Sequence, residues 1–258
     1  CGHKIDLDPS QSETFKKIYG NAGDDRGVDI RELANGDYLI FGNLEVPGKS
    51  TELALIRTDH FGNEQWTETF GRADEDLAGG MDINENGQVI ICGTSTKNQD
   101  VATEENSTDI IVFMVDDTGN EIERFVFDFG DNEVGNDISF DKGELGGYMV
   151  VGSSDAERSL AVSDFTPNPK SRRDLLAIRY LMNNQTADTN VFQIGYELDD
   201  ELNSVIYDPE SNDFLAAGTI NLQGSQQVQF MALSNLINTV QPWNVRDNLI
   251  LQGPATVS

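Results

Sequence analysis

Four segments of this chain carry one pattern, and that internal repetition limits the fold more than any other feature. Gly27-Val28-Asp29-Ile30, Asn35-Gly36-Asp37 and Tyr38-Leu39-Ile40-Phe41-Gly42 return as Gly80-Met81-Asp82-Ile83, Glu85-Asn86-Gly87 and Val89-Ile90-Ile91-Cys92-Gly93. A third copy passes through Asn136-Asp137-Ile138 and Tyr148 to Gly152, and a fourth through Asn203 to Ile206 and Phe214 to Gly218. The closing glycines of successive copies are 51, 59 and 66 residues apart.

Every copy then enters an apolar run: Leu53 to Ile56, Ile110 to Val115, Leu175 to Ile178 and Val228 to Leu233. In the first two copies a turn follows, Asp59-His60-Phe61-Gly62-Asn63 or Asp116-Asp117-Thr118-Gly119-Asn120, with Asp early and Gly late. That is the chemistry of a tight hairpin with one residue at positive φ. A last strand runs from Glu64 to Phe70 or from Glu121 to Phe129. Units of four short strands cannot bury their faces alone and must pack on their neighbours. The expectation is therefore an all-β chain, a β-propeller of about four four-stranded antiparallel blades, with a β-sandwich as the alternative. Residues 1–14 read as a polar tether and 15–258 as the propeller domain, with blade repeats at about 15–66, 67–125, 126–191 and 192–258. Phe15 to Gly20 and Asn248 to Gly253 read as additional outer strands.

The Asp59-x-x-Gly62-Asn63-x-x-Trp66 turn, Phe70-Gly71 and the Asn35-Gly36-Asp37-Tyr38 hairpin resemble the propeller-like repeats of secreted proteins and surface lipoproteins of Bacteroidetes-type bacteria. The resemblance spans roughly residues 15 to 251. Cys1, followed by a polar stretch from His3 to Thr14, resembles the first residue of a mature bacterial lipoprotein. This resemblance implies a covalent lipid on Cys1, an outer-membrane location on the cell-surface or periplasmic side, and an outer-membrane protein or complex as partner. It also implies a non-enzymatic binding or scaffold role in transport, secretion or assembly.

Charge narrows the functions. With 17 Lys+Arg against 45 Asp+Glu the formal net charge is −28, so the clustered cations needed to grip a phosphate backbone are missing and nucleic acid is excluded as a ligand. The longest apolar run, Ile110 to Val115, falls far short of the roughly 20 residues of a membrane-spanning helix. Two cysteines provide no disulfide framework, and Cys92, inside an apolar strand, reads as a core residue. His3 and His60 are the only histidines, too few for a histidine-based triad or a histidine-rich metal centre.

In an antiparallel four-strand blade, lettered a to d from the axis outward, the b–c and d–a connections emerge on one face. The b–c segments 43–51, 94–108, 153–173 and 219–227 read as long loops, so that face is the elaborated one. Its d–a loops are acidic in every copy: Asp24 and Asp25, then Asp74, Glu75 and Asp76, then Asp131 and Glu133, then Asp199, Asp200 and Glu201. Gathered near the axis, such charges attract cations, which suggests a Ca²⁺ site or a dock for a basic partner; a solvated rim is the plainer reading. A Ca²⁺-assisted polysaccharide-binding protein or glycoside hydrolase is the competing function, since 45 acids offer many carboxylate pairs.

Several motifs fail. Gly48-Lys49-Ser50-Thr51 lacks the glycine spacing and the following helix of a phosphate-binding loop. The two Asp-x-x-Gly turns do not continue to the glutamate of a twelve-residue Ca²⁺ loop. Trp66 and Trp243 read as packing residues. The segment from Asp155 to Arg173, with Lys170, Arg172 and Arg173, reads as an exposed loop.

Overall fold

The computed structural model describes residues 16–72, 75–96, 107–130, 132–143, 145–155, 173–183, 186–194, 199–222 and 225–234. All regular elements among them are strands: β1 (Arg26–Glu32), β2 (Tyr38–Glu45), β3 (Thr51–Thr58), β4 (Glu64–Phe70), β5 (Asp76–Ile83), β6 (Val89–Thr96), β7 (Thr108–Val115) and β8 (Glu121–Phe127). The second half holds β9 (Glu133–Phe140), β10 (Tyr148–Ser154), β11 (Asp174–Asn183), β12 (Thr186–Ile194), β13 (Glu201–Asp208), β14 (Asp213–Leu222) and β15 (Ser225–Ser234). They form four antiparallel meanders, β1-β2-β3-β4, β5-β6-β7-β8, β9-β10-β11-β12 and β13-β14-β15. The first strands lie together, β5 against β1, β9 against β5 and β13 against β9. These sheets are the blades of a β-propeller, and the sandwich alternative is set aside.

The repeated glycines follow from one irregularity. In each blade the ladder between the first two strands slips, at Gly27/Asp29, Ala78/Gly80, Val151/Gly152 and Leu202/Ser204. Such a bulge increases the twist of the innermost strand. Beside it a Cβ on Gly42, Gly93, Gly152 or Gly218 would run into the carbonyl oxygen of Arg26, Leu77, Val134 or Glu201 respectively. Only glycine lets the second strand pass the bulge in every blade.

Burial on two sides explains the unbroken apolar runs. Val89, Ile91, Ile111 and Phe113 pack on Leu39, Phe41, Leu53 and Leu55 of the first blade. The alternate residues Ile90, Cys92, Ile110 and Val112 pack on Tyr148, Val150, Leu176 and Ile178 of the third. Met149, Val151, Leu175 and Ala177 in turn meet Val205, Phe214, Ala216 and Met231 of the fourth. A strand covered on both faces needs apolar residues at every position, not at alternate ones. Cys92 is fully buried, and burial raises its thiol pKa far above the ordinary range.

The Asp-x-x-Gly turns serve the hairpins. Asp59 Oδ1 accepts the backbone N–H groups of Phe61 and Asn63, and Asp116 Oδ1 those of Thr118 and Asn120, while Gly62 and Gly119 take φ of 73° and 91°. Both carboxylates are spent on their own turn.

Two expectations are corrected. The b–c connections of the first and fourth copies are not long loops: β2 and β3 stay paired out to Glu45 and Thr51, and β14 and β15 out to Leu222 and Ser225, because their polar ends still offer backbone groups to a ladder. Residues 16–20 form no strand; they lie on the first blade's c–d turn, where Lys17 Nζ donates to Asn63 Oδ1 and Tyr19 OH to the Gly62 carbonyl. The strand expected at Asn248 to Gly253 lies outside the described residues.

One buried ion pair lies within the third blade, against the fourth. Arg179, fully buried, donates through Nη2 to Asp141 Oδ2 at 2.5 Å and to the Gly146 carbonyl at 2.7 Å, and through Nη1 to the carbonyls of Tyr148 and Tyr180. Its guanidinium lies 5.3 Å from the Phe214 ring centre. Burial brings its pKa down to about 10, against the opposing pull of Asp141. Removing one member of such a pair strands the other in the core. Arg179→Leu is expected to cost about 3–5 kcal/mol in chemical denaturation. Gly152→Ala, which drives a methyl into a backbone carbonyl, should cost about 1–3 kcal/mol by the same measurement.

Candidate metal centre

The face that carries the b–c and d–a connections is built around one acidic position, the residue that opens or immediately precedes the first strand of each blade. Asp25 Oδ2 accepts the N–H of Asn21, Asp76 Oδ2 that of Arg72 and Glu133 Oε2 that of Phe129, in each case four residues earlier. The other oxygen reaches the end of the second strand: Asp25 Oδ1 accepts the N–H of Glu45, Glu133 Oε1 the hydroxyl of Ser154 and Asp200 Oδ1 the N–H of Asn221. Asp25 and Glu133 thus tie the incoming loop to the sheet, while Asp76 holds the loop and Asp200 the strand end, satisfying backbone donors that a short loop leaves without partners. Asp76, Glu133 and Asp200 are buried and Asp25 is half-buried.

The remaining residues predicted for this face are distributed as follows. Asp24, Glu75 and Asp199 are exposed, and Glu201 is half-buried. The Asp24 N–H donates to Glu45 Oε2, the Glu75 carbonyl accepts the N–H of Thr96, and Asp199 Oδ1 accepts that of Arg173. Cys1, Asp74 and Asp131 lie outside the described residues, as do Lys170 and Arg172.

Glu133 belongs to a cluster. One oxygen each of Asp109, at the start of β7, Asp128, just past β8, and Glu133, at the start of β9, lie within 4.8 Å of one another, a group able to hold a metal ion. Asp109 and Glu133 are buried and Asp128 is exposed, so the cluster has a buried floor and one solvent-facing carboxylate. Arg72 Nη1 donates to Asp109 Oδ2 at 2.7 Å, bringing a cation from the preceding blade junction. Burial, reinforced by the charges of Asp109 and Asp128, lifts the Glu133 pKa to about 7, although the Phe129 N–H and the Ser154 hydroxyl pull the other way.

Similar acid pairs recur at the other junctions. Burial raises the Asp76 carboxyl, and the charge of Glu52 adds to the shift. Asp174 is raised to about 6, again by burial first and by Asp200 second. Glu52, Asp109 and Asp174 each stand at or next to the start of a third strand, 24, 24 and 26 residues before Asp76, Glu133 and Asp200. Sequence reasoning picked the second member of each pair and missed the first. Aligning the apolar runs Leu53, Ile110 and Leu175 by the residue before each would have found them.

No known family description and no curated protein matches this chain. Among solved structures it is similar to a thermostable family-43 glycoside hydrolase, at 12% identity, over 89% of this chain and 77% of that one, with a TM-score of 0.48. That neighbour is a glycoside hydrolase, and the expectation that this chain is non-enzymatic is withdrawn. The likeness concerns the course of the backbone, and no residue role is carried over from it.

The raised Glu133 pKa has a signed consequence. The folded chain holds a proton that the unfolded chain releases, so this group's contribution favours folding at low pH and is lost as pH rises from about 4.5 to about 7. Glu133→Gln is expected to flatten the pH dependence of the melting temperature in that window and to raise the melting temperature at pH 7.5, as read by differential scanning calorimetry.

Proposed function

We propose that this chain is a calcium-dependent protein acting on polysaccharide, with Asp109, Asp128 and Glu133 as its calcium ligands. The observation that carries the reading is the convergence of three carboxylate oxygens within 4.8 Å on the loop-bearing face. Two oxygens on opposite sides of a Ca²⁺ ion, each about 2.4 Å away, are separated by about 4.8 Å, and the ion takes six to eight oxygens. Three carboxylates leave positions for loop carbonyls and for further oxygens on the solvent side, next to Asp128. Neighbouring hydroxyls of a sugar ring are suited to those positions, which makes the ion a bridge between the blade junction and a glycan.

Within this reading the residues divide their work. Glu133 and Asp109 form the buried part of the cation's shell, and the Phe129 N–H and the Ser154 hydroxyl orient Glu133. Arg72 balances Asp109 while the cation is away and competes with it when it arrives. Glu133 must lose its proton for the ion to enter, so calcium affinity is expected to rise from pH 6 to pH 8, through the Glu133 pKa of about 7.

The test combines calorimetric Ca²⁺ titration with a glycan screen, run with and without chelator and followed for both retention and release of reducing ends. Calcium should raise the melting temperature, and glycan retention or cleavage should be lost on chelation. Asp128→Asn, which leaves the buried pair intact, should weaken calcium binding tenfold or more. A melting temperature indifferent to millimolar calcium, together with glycan signals indifferent to chelator, would overturn the proposal.

A further inference from the structure

The fourth blade covers only one of its faces. Phe214, Ala216, Met231 and Leu233 pack against the third blade, but the register puts Ile206, Leu215 and Ala232 side by side on the opposite face, with Ala217 beside Phe230 and Thr219 beside Val228. This second face is apolar and open: Val228 is 88% exposed, Ile206 59% and Phe230 50%. Blades two and three bury both faces. Among the described residues, β13 packs against β9, β10 and β11, with no comparable packing onto β1. A contiguous apolar sheet face of this kind requires an occupant.

The chain itself offers one. Residues 235–258 follow directly on β15, the strand that carries Val228 and Phe230. In a chain of net charge −28 these 24 residues hold one acid and one base, Asp247 and Arg246, and include Leu236, Ile237, Val240, Trp243 and the run Leu249 to Leu251. At about 3.3 Å per residue they can span the sheet several times over, since neighbouring strands are about 4.8 Å apart. We propose that residues 235–258 return over the open face of the fourth blade and bury Ile206, Val228 and Phe230.

The experiment uses the full chain. Trp66 and Trp243 are its only tryptophans, so a Trp66→Phe background makes indole fluorescence a report on Trp243 alone. Acrylamide quenching of Trp243 should be several-fold weaker than that of free N-acetyltryptophanamide. Adding Val228→Asp and Phe230→Asp should raise quenching to the free level while the β-sheet circular dichroism persists. Should that pair prevent folding, Val228→Ser is expected to give an intermediate value in a folded chain. Free-level quenching in the unsubstituted background, or protection unchanged by the substitutions in a folded chain, would overturn the proposal. So would protection found only at concentrations where sedimentation shows a dimer, which would give the face to a second copy.

Discussion

The structure depends on the two-sidedness of its sheets. A blade whose strands are apolar at consecutive positions has no face to show to water and must have a neighbour on each side. Val89 to Cys92 and Ile110 to Val115 meet this requirement in the second blade, as do Tyr148 to Val151 in the third. Radial arrangement follows, because it supplies the second and third blades with two flanks while the innermost strands converge. The bulge and the facing glycine in each blade are the local device that makes such convergence possible: one twists the inner strand, and the other lets the next strand pass close beside it.

Polar links lock what apolar packing brings together. On the turn side of the third blade, Arg179 gathers Asp141 and three backbone carbonyls beneath Phe214. On the loop side, Asp76 and Glu133 satisfy backbone donors where the chain passes from one blade to the next, Asp25 does so ahead of the first blade, and Asp200 at the end of β14. The acidity of the d–a connections is therefore structural at one position in each copy. Where blade junctions bring a second and third carboxylate up to that position, as Asp109 and Asp128 do beside Glu133, burial, with the neighbouring charges adding to it, raises the Glu133 pKa to about 7.

Much of the architecture was legible because a repeat writes the same local chemistry several times. The turns at Asp59 and Asp116, the closing glycines and the strand positions in the first two blades all depend on interactions within a few residues, and each appears where the pattern places it. The fourth copy was less legible. Its b–c connection looked long because Thr219, Asn221, Gln226 and Gln227 are polar, yet backbone pairing carries the ladder through them. Residues 16–20 looked like an outer strand by composition but are held by Lys17 and Tyr19 to a turn instead.

What the sequence determined by itself was the all-β class and the order of the repeated strands, for these rest on period, turn chemistry and strand alternation. What only the tertiary structure decided was which acids meet. Asp109 and Glu133 belong to different blades and stand 24 residues apart, and nothing local distinguishes them among 45 acidic residues. Their approach is set by how neighbouring sheets pack, and burial at that junction, not residue identity, is what shifts the Glu133 proton toward neutral pH.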